Sequence, residues 1–151
     1  MTSLLFNLCN TGVLFAWFLI LFLPRIRISK ALISFPWVPL FLSFFYLYFF
    51  TQTEGFMEAD FTSLEGILLL FQQATLSSAA AGWLHYLAFD FWVGTWMIRH
   101  SQKFQIKHIL IVLPLLCTFM LGPIGILIYS LVFFTKKKSN TIETLYQIVT
   151  I

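Results

Sequence analysis

Charge is what this chain has least of. Of its 151 residues, only 10% are Asp, Glu, Lys or Arg, against about 25% in a soluble domain. With 60% of residues drawn from AVILMFWYC and a mean hydropathy of +0.89, there is too little polar surface to cover a core in water. A soluble enzyme, a nucleic-acid binder and a disordered chain are excluded. Cysteine is scarce too. Cys9 and Cys117 each lie in an apolar stretch and make neither a disulfide framework nor a metal pattern. They read as small apolar side chains. No P-loop, dinucleotide fingerprint, HExxH helix or nucleophile elbow occurs, so no metal, nucleotide or other cofactor is implied. The start lacks a basic n-region and a small-residue cleavage site, which disfavours a signal peptide. No internal repeat is visible.

What is present is hydrocarbon in long runs. A bilayer crossing takes about 20 apolar residues, and four runs are long enough: 4–23, 31–50, 75–98 and 108–134. The expected fold is an all-α membrane protein of four transmembrane helices, one membrane-embedded domain over 1–135, with a basic, weakly structured tail over 136–151. Pro36 and Pro39 fall in the first turns of the second run, where a missing N–H costs least. Before the third run, Thr62-Ser63-Leu64-Glu65 reads as a capping box opening a short helix to about Gln72. That helix is too short to span. It is expected to be interfacial or re-entrant, although a simple extension of the third span has the same periodicity.

Loops 24–31 and 99–107 carry three bases each and no acid, while loop 51–65 carries four acids and no base. The positive-inside rule puts the two basic loops in the cytoplasm. Four spans then leave both termini outside. Lys136, Lys137 and Lys138 conflict with that arrangement.

The chemistry-bearing residues concentrate in the third run. A carboxylate at mid-bilayer costs at least about 2.5–3.5 kcal/mol, so Asp90 needs a polar partner, a polar cavity or a proton. His85 lies one and a half turns before it. Five residues at about 100° each set the two about 140° apart, so they do not pair within the helix. Two walls of one cavity and contacts to two different helices both fit. Trp83, Tyr86, Trp92 and Trp96 suit either packing or a slot for a planar apolar ligand. In the fourth run Pro114 interrupts the helix ladder, and Thr118 is the local hydroxyl for a carbonyl left free. Asn10 reads as an interhelical hydrogen bond or a ligand contact. Arg99 ends the third run, placed to snorkel to headgroups or to contact an anionic lipid or phosphate. His100 and His108 flank a basic loop and read as solvated.

Taken in order, these motifs resemble the abscisic-acid-deficient-four-like family, small membrane proteins of plant neoxanthin synthesis that also occur in bacteria. The resemblance spans about 4–134. It rests on Phe6-Asn7, Asn10 and Trp17; on Leu23-Pro24-Arg25 and Ser63-Leu64-Glu65-Gly66; on Gly82-Trp83 with His85 to Asp90, Gly94 and Trp96; and on Thr118-Phe119-Met120, Gly122-Pro123-Ile124-Gly125 and Tyr129. Where the family often has an acid after the tryptophan and then Arg-Asp-Ala, this chain has Met97 and Arg99-His100-Ser101. The resemblance implies a protein of the bacterial cytoplasmic membrane (the plastid membrane for a mature plant-type form), whose partners are membrane lipids and a carotenoid or related isoprenoid. It further implies binding or redox-neutral isomerisation of that ligand, with Asp90 and His85 as acid and base and the four aromatics, Thr118 and Asn10 around the substrate. A non-catalytic scaffold or assembly subunit, homo- or hetero-oligomeric, is the main alternative. A small transporter subunit is the second.

Overall fold

The computed structural model describes residues 2–53, 55 and 59–149, with side chains through Lys137. Glu54 and Glu58 of the acidic loop, and the side chain of Lys138, lie outside the described residues. Among those described, all regular structure is helical: α1 (Thr2–Phe22), α2 (Arg27–Ser34), α3 (Trp37–Thr51), α4 (Leu64–Gln72), α5 (Leu76–Lys103), α6 (His108–Leu121) and α7 (Pro123–Val149). One of these, α1, is alone long and apolar enough to cross a membrane. There are up to three such spans if α2–α3 and α4–α5 each count as one.

The difference from four uninterrupted spans has local causes. Proline forces its predecessor out of the helical region, and Phe35, before Pro36, is extended at φ −137°, ψ 145°. The run 31–50 is therefore two helices. Pro39 sits in the first turn of α3, where its missing N–H has no helical acceptor to lose. At α4 the cap falls one residue later than the capping-box pattern suggests. Ser63 Oγ accepts the Gly66 N–H at 3.0 Å, while the Asp60 carboxylate takes the hydroxyls of Thr62 and Ser63 and the Thr62 N–H. The helix axis of α4 then meets α5 at 118°, and none of its nine residues is buried. It is a separate surface helix, not an extension of α5.

The largest correction concerns 108–134, expected as one kinked span. The chain reverses at Gly122, which adopts φ +49°, and Pro123 opens α7. An added Cβ on Gly125 would collide with the Thr118 hydroxyl and backbone and with the Pro114 carbonyl, so α7 lies directly on α6. Contacts along α5 give the direction. Thr118 Oγ1 lies 3.7 Å from Met97 Sδ, and Gly122 lies beside Asp90. Further along, Tyr129 bonds His100, and Phe133 packs on Phe104 with ring centroids 4.9 Å apart. Hence α6 climbs from the basic loop to the level of Asp90, and α7 returns. Lys136 and Lys137, one turn past Phe133, come back to the end that carries Arg99, Lys103 and Lys107. The chain beyond 135, expected to have little structure, continues as helix to Val149.

The residues form two compact units. One comprises Met1–Ala16 with Trp37–Phe89, the other Trp17–Pro36 with Asp90–Ile151. The core of the first holds Cys9, Val13, Leu42, Phe49, Leu84 and Leu87. In the second, Trp17 is the largest buried side chain. It lies 5.4 Å from both Phe91 and Phe119 and rests on Gly94, where any Cβ would meet its ring at 2.5 Å. Outward faces are themselves apolar, with Phe15, Phe44, Leu68, Leu113 and Leu127 half or more exposed. Such a surface is a liability in water and a match to lipid.

Candidate ligand-binding site

Inside the first unit, α3, α4 and the first half of α5 border a half-open cavity of about 510 Å³. Small residues make the space: Ala74 in the turn before α5, and Ser78, Ala81 and Gly82 on it, line it without filling it. A Cβ on Gly82 would meet nothing within 4 Å. Aromatic side chains supply the walls: Tyr46, Phe50, Phe61, Phe71, Trp83 and Tyr86.

His85 is the imidazole of this wall. Its ring lies 4.7 Å from that of Phe89 and 5.9 Å from that of Tyr46. Neither ring nitrogen has a hydrogen-bond partner among the described residues. Trp83 is fixed from behind, its Nε1–H donating to Asn10 Oδ1 at 3.1 Å. This is the interhelical bond expected of Asn10. A second, smaller cavity of about 330 Å³ lies between the starts of α1 and α5, and Trp83 borders both. A mostly apolar cavity with a few polar groups is the usual form of a small-molecule site.

The other sequence candidates are placed elsewhere. Asp90 is half buried in the second unit and does not line the cavity. Its Oδ1 would be 3.0 Å from a Cβ on Gly122, at the turn that starts α7. It carries no hydrogen bond or ion pair among the described residues. His85 and Asp90 thus face different neighbours, the two-helix alternative raised above. No residue of 108–134 lines the cavity, so Thr118, expected around the substrate, is not part of it. Trp92 is exposed on α5. Trp96 stacks on His100 at 5.0 Å and meets Tyr129 edge-on at 5.8 Å. Thr118 donates to the Pro114 carbonyl at 2.9 Å, its own i−4 partner, and not to Leu110, whose bond the proline removes. Arg99 Nη1 donates to the Ile33 carbonyl at 2.7 Å.

Two histidines read as solvated are not. His100 Nδ1 and Tyr129 Oη are 2.7 Å apart. His108 Nε2 lies 2.9 Å from the Leu21 carbonyl, and since a carbonyl only accepts, that nitrogen bears the proton. The signal for His100 was its position four residues after Trp96, which puts the rings on one helical face.

Helical structure throughout the described residues, a lipid-matched exterior and an apolar helix long enough to cross define a membrane-associated protein. The chain belongs to the ABA DEFICIENT 4-like family, whose model matches residues 4–129. No curated protein and no solved structure matches it.

Proposed function

We propose that the cavity of α3, α4 and α5 binds a carotenoid or related isoprenoid within the membrane. The observation carrying this is the aromatic-walled space itself. Its volume lies inside the usual range for ligand sites, about 300–1,000 Å³, and His85, with the hydroxyls of Tyr46 and Tyr86, is placed to orient a polar end. Family membership supports a role related to neoxanthin synthesis.

The chemistry proposed is redox-neutral isomerisation of an epoxide to an allene. A proton goes to the epoxide oxygen as its C–O bond breaks, and a carbon-bound proton leaves as the cumulated double bonds form. Atoms and electrons balance without a co-reactant. His85, on the cavity wall, is the proposed acid–base residue, taking the carbon-bound proton and delivering one to the oxygen; Asp90 does not line this cavity. General acid or base catalysis contributes about 10²–10⁴-fold. Turnover of an epoxy-carotenoid should fall by that order in His85→Ala and stay near the wild-type rate in Asp90→Asn. Undiminished turnover in His85→Ala rejects the acid–base role.

A scaffold reading is favoured by one contact, the Asn10–Trp83 bond, which is how polar groups join membrane helices. A preparation that stays colourless from a carotenoid-producing host would favour it.

For topology we propose a multi-pass arrangement. The chain crosses with α1, with α2–α3 and with α5, α4 lying at the surface, and the α6–α7 hairpin enters from the basic end and returns to it. With α6 about 21 Å long, the hairpin falls short of a hydrocarbon core of about 30 Å. All the basic clusters then lie on the cytoplasmic side with the start of the tail, and the N-terminus lies opposite. The conflict over Lys136, Lys137 and Lys138 disappears.

A further inference from the structure

We infer that the basic end of the second unit is a binding site for a phosphate-bearing group. A cavity of about 650 Å³ opens there between α2, the α5–α6 loop and the chain after α1. Arg25, Lys30, Arg99 and Lys107 line it, and among the described residues no carboxylate does. None of the four carries an ion pair among the described residues. Like charges gathered around one void repel one another, and a multivalent anion relieves that repulsion for all of them at once.

The fold fixes one of these cations. Arg99 spends one N–H on the Ile33 carbonyl, which fixes the guanidinium on the wall and leaves the rest of its five-donor fork for a ligand. Between α5 and α6 the backbone turns at Gln105, which takes φ +55° and lines the same cavity. Guanidinium groups match phosphate oxygens in pairs, and ammonium groups add charge without geometry. The position suits a headgroup as well. Arg25 follows the apolar end of α1, and Arg99 closes the apolar part of α5, so the cavity sits where hydrocarbon gives way to the interface. The ligand class is a phosphate monoester or diphosphate, either on a lipid or free in solution.

The full chain in phosphatidylcholine nanodiscs tests this by its thermal unfolding midpoint. Two probes are added separately, phosphatidic acid in the bilayer and inorganic pyrophosphate in the buffer, each against chloride at equal ionic strength. The midpoint should rise with at least one probe. A rise with phosphatidic acid alone assigns a lipid headgroup, and a rise with pyrophosphate as well assigns a site open to soluble phosphates. Arg25→Gln combined with Lys30→Gln and Lys107→Gln should weaken the response roughly tenfold or more in probe concentration. Lys136→Gln with Lys137→Gln, outside the cavity, should keep it. If the triple variant does not fold, Lys30→Gln and Lys107→Gln singly, both at exposed side chains, read the same loss. No rise with either probe, or an equal rise in the cavity variants, overturns the site.

Discussion

Gly94 shows how much a single missing methyl group decides here. The Trp17 ring occupies the volume a side chain would take, with Cη2 at 2.5 Å and Cζ3 at 2.9 Å from an added Cβ. Trp17 is only 1% exposed and has no room to retreat. Gly94→Ala should therefore cost about 1–3 kcal/mol through overpacking. Gly12→Ala is the control, because nothing lies within 4 Å of its Cβ. It should be neutral or stabilising by up to about 1 kcal/mol, since a mid-helix glycine is entropically unfavourable. Thermal unfolding of both variants in one detergent checks the pair. Equal destabilisation would mean that Trp17 does not rest on Gly94. At this scale the sequence was uneven. Asn10 was legible as an interhelical bond because an amide in an apolar run has few other uses. The partners of His100 and His108 were not, because a histidine beside a basic loop looks solvated until the neighbouring helix is placed.

Helix ends were easier to foresee than helix directions. The short helix before α5 was legible from its cap residues, with the cap one residue later at Ser63. Three hydrogen bonds to the Asp60 carboxylate, from the Ser63 and Thr62 hydroxyls and the Thr62 N–H, pull its pKa down from 3.8 to about 2. A folded value below the unfolded one means stability that is present above about pH 4 and lost as pH falls toward 2. Amide exchange at the start of α4 should accordingly quicken between pH 4 and pH 2, and Asp60→Asn should remove that dependence. A wild-type profile flat across the window would show that the carboxylate does not hold the cap. The reversal at Gly122 was not legible. Gly-Pro reads equally as a kink within a span and as a turn between two helices, and local pattern does not separate them. What decides is Gly125, whose missing side chain lets α7 lie on the Pro114 carbonyl.

For the whole molecule, the two units give different chemistry to the two ends of α5. The half from Leu76 to Phe89 walls an apolar cavity, and the half from Asp90 onward carries the hairpin and the cation-lined pocket. The membrane class and the family were legible in composition and in the ordered motifs. The location of the cavity was not, since α3 and α4 contribute bland aromatic residues that carry no signal of their own. The proposed topology is checked with single cysteines in a background lacking Cys9 and Cys117. Gln102→Cys and Lys136→Cys should react with an impermeant maleimide from the same side, and Ser3→Cys from the other. Labelling of Lys136→Cys from the Ser3 side would contradict a returning hairpin.

Ligand occupancy of the cavity is the central claim, and Gly82 gives direct access to it. Its Cβ position faces open space, so Gly82→Phe would plug the cavity while sparing the packed core. The measurement is a titration of the purified chain with an epoxy-carotenoid, followed by the shift of its visible absorption. Saturable binding by the wild type is expected, and none by a Gly82→Phe chain that unfolds at the same temperature. Equal saturable binding by both would contradict occupancy of the cavity.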